Sequence, residues 1–247
     1  MSPRYKLKTI HDILVNMSNE MQKLADFLNI TSDFLGSGYK SEQKDYNFKE
    51  TTPTAVSVPQ TIDLISEEIK ACRNCSLGST RLNAAPGEGV LQPLVMVIGE
   101  GPGEDEDKQG RPFVGKAGQL LDKMLLSINL SRNTNCFIAN VIKCRPPNNR
   151  DPYPEETSAC AHFLERQILL LKPKFILLTG KVAAHTLLKS TESIGKLRGK
   201  FTELKVGSSL FPVLCTYHPS ALLRDESYKR PAWEDLKLLR SKIDEAG

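Results

Sequence analysis

The chain has 247 residues, 25% of them charged, with 33 basic against 29 acidic side chains for a formal charge of +4. That is room for one sizeable domain with an appendage, and too weakly basic for charge alone to argue for nucleic acid, although a local basic patch stays compatible with it. No run approaches the ~18 consecutive apolar residues of a membrane span. The opening MSPRYKLKTIHDILVNMSNEM has no continuous apolar stretch and no small-residue cleavage site. A cytoplasmic protein without membrane contact is therefore expected, with cysteines as thiols or metal ligands rather than disulfides.

In chain order, residues 8–29 place Ile10, Ile13, Leu14, Met17, Met21, Leu24 and Leu28 at three-and-four spacing, which predicts an amphipathic helix able to meet a protein partner. Residues 31–60 are polar and read as a linker. The division expected is thus 1–60 as helix and linker, and 61–247 as the working domain. There, short apolar runs at 94–99, 137–141, 175–178 and 213–217 read as buried strands. Helical stretches fall at 118–128, 155–171, 181–188 and 233–246. This alternation predicts an α/β fold: a mainly parallel sheet covered by helices on both faces, as a three-layer α/β/α sandwich. Ligands of such sheets sit outside the carboxyl ends of the strands. The unusual polar segments all follow strands: GEGPGEDEDKQGRPFVG, Asn140 with KCRPPNNRDP, Thr179-Gly180, and His218-Pro219-Ser220.

Four cysteines stand out among the six: Cys72-x-x-Cys75, Cys144 and Cys160. They border turn-rich or Pro-rich segments, and four thiolates suit tetrahedral zinc or an iron–sulfur cluster. Cys136 and Cys215 lie inside apolar runs and read as small core residues. Two decoys are set aside. Gly110–Lys116 matches a phosphate-binding loop until Ala117 replaces the metal-liganding hydroxyl. Gly99-Glu-Gly101-Pro-Gly103 would present carboxylates to a pyrophosphate.

The segments GEGPGEDEDKQGRPFVGKAGQLLDKML, NVIKCRPPNNRDPYPEE and HPSALLR, with the four cysteines, resemble the iron–sulfur uracil-DNA glycosylases, the fourth family of that superfamily. The resemblance covers about residues 69–245. It implies a four-stranded parallel sheet, a [4Fe–4S] cluster on Cys72, Cys75, Cys144 and Cys160, and uracil-containing DNA as substrate, single- or double-stranded. It implies that Phe113 stacks on the flipped base and that Asn140 reads it, since an amide answers both an acceptor and a donor of uracil. His218 would hydrogen-bond uracil O2 as charge builds on the departing base. Relatives elsewhere in the superfamily place a water-orienting Asp where this chain has Gly101, which leaves Glu100 and Glu106 as the candidate carboxylates. Glu106 is read either as acting on water or as filling the space of thymine's methyl group. Asn149 is assigned to substrate or loop positioning. Leu222 and Leu223 would enter the duplex, while Arg224, Arg145, Arg150 and Lys143 would meet phosphates. The cluster would pin the Pro-rich loop. Neither Lys116 nor Lys143 sits where a depressed pKa is expected, so no lyase step is foreseen. A monomer is expected. The alternative is a uracil-DNA binding protein with little or no turnover.

Overall fold

The computed structural model describes residues 61–246. The helix expected at 8–29 and the linker at 31–60 lie outside the described residues. Three uninterrupted apolar runs form strands in which every residue is buried: β2 (Val95–Gly99), β3 (Cys136–Asn140) and β4 (Phe175–Thr179). With the carboxyl half of β6 (Ser209–Thr216) they make the parallel core, in the order β3-β2-β4-β6. Two antiparallel edge strands complete six: β1 (Glu88–Gly89) beside β3 and β5 (Phe201–Val206) beside β6. Neither edge strand has a buried apolar run. β1 has two residues, and β5 has exposed side chains among its buried ones.

Alternation along the strands divides the core in two. Met96, Ile98, Ala139, Ile176, Leu178 and Cys215 face α5 (Pro154–Leu171), α6 (Lys181–Leu188) and α7 (Ile194–Leu197). Val95, Val97, Cys136, Ile138, Leu177 and Leu214 face α4 (Lys116–Leu126) and α9 (Lys229–Glu245). Burial of both faces is what makes these strands apolar without polar alternation. α1 (Ile62–Ala71) is capped by Thr61, whose hydroxyl accepts from the Leu64 amide at 3.2 Å, and lays Ile65 and Ile69 against Phe163 of α5. It ends at Cys72, and α2 (Leu77–Thr80) follows Cys75. The acidic run opens α3 (Glu104–Gln109), where carboxylates meet the positive end of the helix. The HPSALLR segment forms a short helix, α8 (Pro219–Arg224), with proline at its first turn. Among the described residues no helix is long and apolar enough to cross a membrane.

Register sets where the chemistry falls. Gly99 lies opposite Asn140, and Thr179 opposite Thr216. The parallel strands therefore stop level with one another and release their loops at one edge.

Candidate active site

A cleft of about 560 Å³ opens at that edge. Asn140 ends β3 at its floor with 1% exposure, and its Oδ1 is the one buried side-chain nitrogen or oxygen without a hydrogen-bond partner among the described residues. Leaving such an atom unpaired costs about 1–3 kcal/mol, and this oxygen is an acceptor with no partner within the described residues. Phe113 lies against it. A Cβ at Gly99 would come within 2.4 Å of the Phe113 ring and 2.6 Å of Asn140 Oδ1, so the missing side chain is what lets ring and amide meet.

His218 follows β6 and caps α8. The Ser220 amide donates to its Nδ1 at 3.1 Å, and the Ser220 hydroxyl lies 2.8 Å from the same nitrogen. Nδ1 is thereby an acceptor, and the ring proton resides on Nε2. Burial, assisted by the Arg224 charge, draws the imidazole pKa down to about 4, against a smaller pull from Glu106. The ring is neutral at physiological pH, with its centroid 5.5 Å from that of Phe113.

The two carboxylates part company. Glu106 is spent on backbone: one oxygen accepts from Gly103 at 3.1 Å, the other from Val114 at 2.7 Å and Gly115 at 2.9 Å. Glu100 also lines the cleft, and burial followed by repulsion from Asp151 raises its pKa to about 7, with Arg224 opposing. Gly101 has its own cause: a Cβ there would meet Ile142 at 2.7 Å, so an Asp in this place would require that side chain to move.

The basic and apolar candidates divide as well. Arg145 donates to Asn149 Oδ1 at 2.8 Å, and Asn149 holds a left-handed φ of 53°, so these two brace each other at the rim. Arg150 pairs with both oxygens of the buried Glu156 at 2.6 and 2.8 Å and lies over the Tyr153 ring, which commits its guanidinium within the loop. Arg224 and Leu223 are exposed, Arg224 at the cleft. Leu222, expected to contact DNA, is instead 3% exposed in the core beside α4 and α9, because the helical turn of α8 points it inward. Lys143, expected at a phosphate, is likewise buried, at 1% exposure; its ammonium donates to Asn140 O at 2.9 Å and Gln167 Oε1 at 2.7 Å. Burial draws its pKa down to about 8, against the expectation of no depression, yet its two acceptors hold it away from the cleft.

Cys72, Cys75, Cys144 and Cys160 line a second, smaller cavity behind the Pro-rich loop. Arg81 donates to Cys144 Sγ at 2.8 Å, and the Asn74 amide lies 3.5 Å from Cys72 Sγ. Among the described residues no three Cys, His, Asp or Glu side chains close around a point to hold a single metal ion. Cys136 and Cys215 are buried in β3 and β6. Three residues to which patterning gave no role matter to this geometry: Ser220, Arg81, and the buried Arg132. A serine two places after a helix-capping histidine is a readable signal; the two arginines reach across distant segments and leave none.

A family model described as the uracil DNA glycosylase superfamily matches residues 86–237. The type-4 uracil-DNA glycosylase of Thermotoga maritima is 42% identical, over 75% of this chain and 96% of its own length. That of Sulfurisphaera tokodaii is also 42% identical, over 72% and 83%, and that of Archaeoglobus fulgidus 40%, over 72% and 91%. The chain belongs to the uracil-DNA glycosylase superfamily, and within it to the type-4 uracil-DNA glycosylases.

Proposed function

We propose that this chain removes uracil from DNA by hydrolysing the N-glycosidic bond, leaving an abasic site as the first step of base excision repair. The observation that carries the reading is the unpaired Asn140 Oδ1 at the floor of the cleft. A base flipped out of the stack enters the cleft and stacks on Phe113. The Asn140 amide then answers uracil N3–H and O4 together. Cytosine reverses that pattern and leaves buried groups unpaired, which excludes it. As the bond lengthens, negative charge gathers on uracil, and the Nε2–H of neutral His218 donates to O2, where it binds more strongly than in the ground state. Glu100 is the carboxylate left free to face the sugar or the attacking water, because Glu106 is bound to three amides. Arg145, Arg224 and Leu223 are the rim groups open to DNA. The protein acts as an intracellular monomer.

The four cysteines fit a [4Fe–4S] cluster: all are soft sulfur donors on one cavity, and Arg81 stands beside Cys144 to offset the charge of thiolate ligands. A cluster held by these residues would tie the segment after α1 to Cys144, at the start of the Pro-rich loop, and to Cys160 in α5 beyond it. Cys160→Ala is expected to abolish the brown colour and lower the thermal midpoint, read by iron content and calorimetry; zinc in place of iron would reject the assignment. Gly99→Ala is expected to displace Phe113 and Asn140 and to cost excision far more than stability, measured by single-turnover rates beside thermal melts.

The deciding experiment is a gel assay on a uracil-containing oligonucleotide, with alkali added after reaction. Alkali-dependent cleavage supports excision by a glycosylase without strand scission. An intact, iron-loaded protein that binds the oligonucleotide but releases no uracil would leave the alternative, a binding protein of the same fold.

A further inference from the structure

Phe113 holds φ at +54°, which a bulky side chain rarely adopts. Such a conformation persists only where its surroundings over-determine it. Glu106 fixes the amides of Val114 and Gly115 from one side. From the other, Arg132 donates Nη1 to Pro112 O at 3.0 Å and Nη2 to Phe113 O at 2.8 Å. The guanidinium, 8% exposed, is itself held: Nε and Nη2 reach Asp122 Oδ1 at 3.0 and 2.9 Å, and Nη1 lies 3.6 Å from Glu88. Glu88 in turn grips Arg111 through both oxygens at 2.7 and 2.9 Å. Consecutive peptide groups from Pro112 to Gly115 are thus pinned from two faces. The backbone of Phe113 also sits where a Cβ at Gly118 would come within 2.0 Å, so α4 closes over it directly. Arg132 is not among the cleft-lining residues. A rigid planar fork is what allows one cation to serve two carbonyls and a carboxylate at once; an ammonium lacks that geometry.

We propose that Arg132 is a positioning residue for base recognition: by gripping the carbonyls of Pro112 and Phe113 it holds the Phe113 ring in the cleft beside Asn140. The inference rests on the reading of Phe113 as the ring on which the flipped uracil stacks. Its effect is therefore confined to what that ring contributes, and vanishes when the ring is gone.

The test is equilibrium binding of the full, iron-loaded chain to an oligonucleotide whose uracil sugar is fluorinated at C2′ to resist excision, with thymine DNA as reference. Wild type, Arg132→Lys, Phe113→Ala and the double variant are compared. Stacking on an aromatic ring is worth about five- to 150-fold per base. Arg132→Lys is expected to lower the preference for uracil about tenfold where Phe113 is present, and by less than about twofold in the Phe113→Ala background, as coupled sites do. Should Arg132→Lys not fold, Asp122→Asn loosens the same guanidinium from a half-exposed position, and the same pattern is expected at smaller amplitude. Equal losses in both backgrounds would show a general structural role and overturn the proposal, as would no loss at all. Undiminished uracil preference in Phe113→Ala would instead overturn the stacking reading, and the assigned purpose of Arg132 with it.

Discussion

Asn140→Ala is expected to make the protein slower and more stable at once. Excision should fall by at least about 10²–10³-fold, the usual loss when one preorganised hydrogen-bonding group at a reacting centre is removed. The thermal midpoint should hold or rise, because the substitution deletes a buried oxygen whose unpaired state costs about 1–3 kcal/mol. The space it vacates opens into the cleft rather than into a sealed core, so no closed cavity offsets the gain. Asn140→Asp separates size from chemistry. It keeps an acceptor for N3–H but loses the donor to O4, so uracil excision should remain low. Single-turnover rates alongside calorimetry decide the matter. A variant that loses stability together with activity would mean that Asn140 belongs to the scaffold.

His218→Ala should lower the rate by about 10²–10³-fold with a smaller change in DNA affinity, since its hydrogen bond strengthens only as charge develops. The pH behaviour is sharper evidence. The folded pKa of about 4 lies below the ordinary 6.5, so between these values the unfolded chain binds the extra proton. Stability therefore rises with pH across that window and is lost as pH falls from 6.5 towards 4. Removing the Arg224 charge by Arg224→Ala should narrow it. Above about pH 5, His218 contributes no inflection to the rate. One near pH 7 is expected instead from Glu100, whose pKa stands at about 7, with activity rising as its carboxylate ionises. Glu100→Gln should flatten that limb of the profile, and a profile unchanged in this variant would remove Glu100 from the reaction.

The parts of this molecule that were legible in its sequence share a physical reason. β2, β3 and β4 are buried on both faces, so they could only be written in apolar residues, and an apolar run is easy to see. The site residues at the strand ends followed from the topology rule, which places Asn140 and His218 at one edge. What escaped were groups whose role depends on contacts distant in sequence. Arg132 is separated from Phe113 by the whole of α4, and nothing near it announces a partner. Leu222 and Leu223 are adjacent and chemically alike, and only the turn of α8 sends one to the core and the other outward. Lys143 stands in a basic motif, which suggests a phosphate contact. Its burial goes with the bend between β3 and Cys144, which brings its ammonium back to the Asn140 carbonyl. The acidic run was ambiguous because helix starts and solvated faces favour the same residues; Glu106 became a brace through its place in the first turn of α3.

The level ends of the parallel strands have a consequence for how this scaffold can change. Three strands each contribute a different group to the cleft. β2 supplies the gap at Gly99 and the Glu100 carboxylate after it, β3 the Asn140 amide, and β6 leads into the His218 imidazole. Below those ends the same strands are engaged in packing alone. A change at the tip of β6 can thus be made while the ladder beneath keeps the rest in place, whereas the tips of β2 and β3 touch through the gap at Gly99 and change together. Inheritance of the fold and drift of its diet are separable, and the boundary between them runs along a single edge of the sheet.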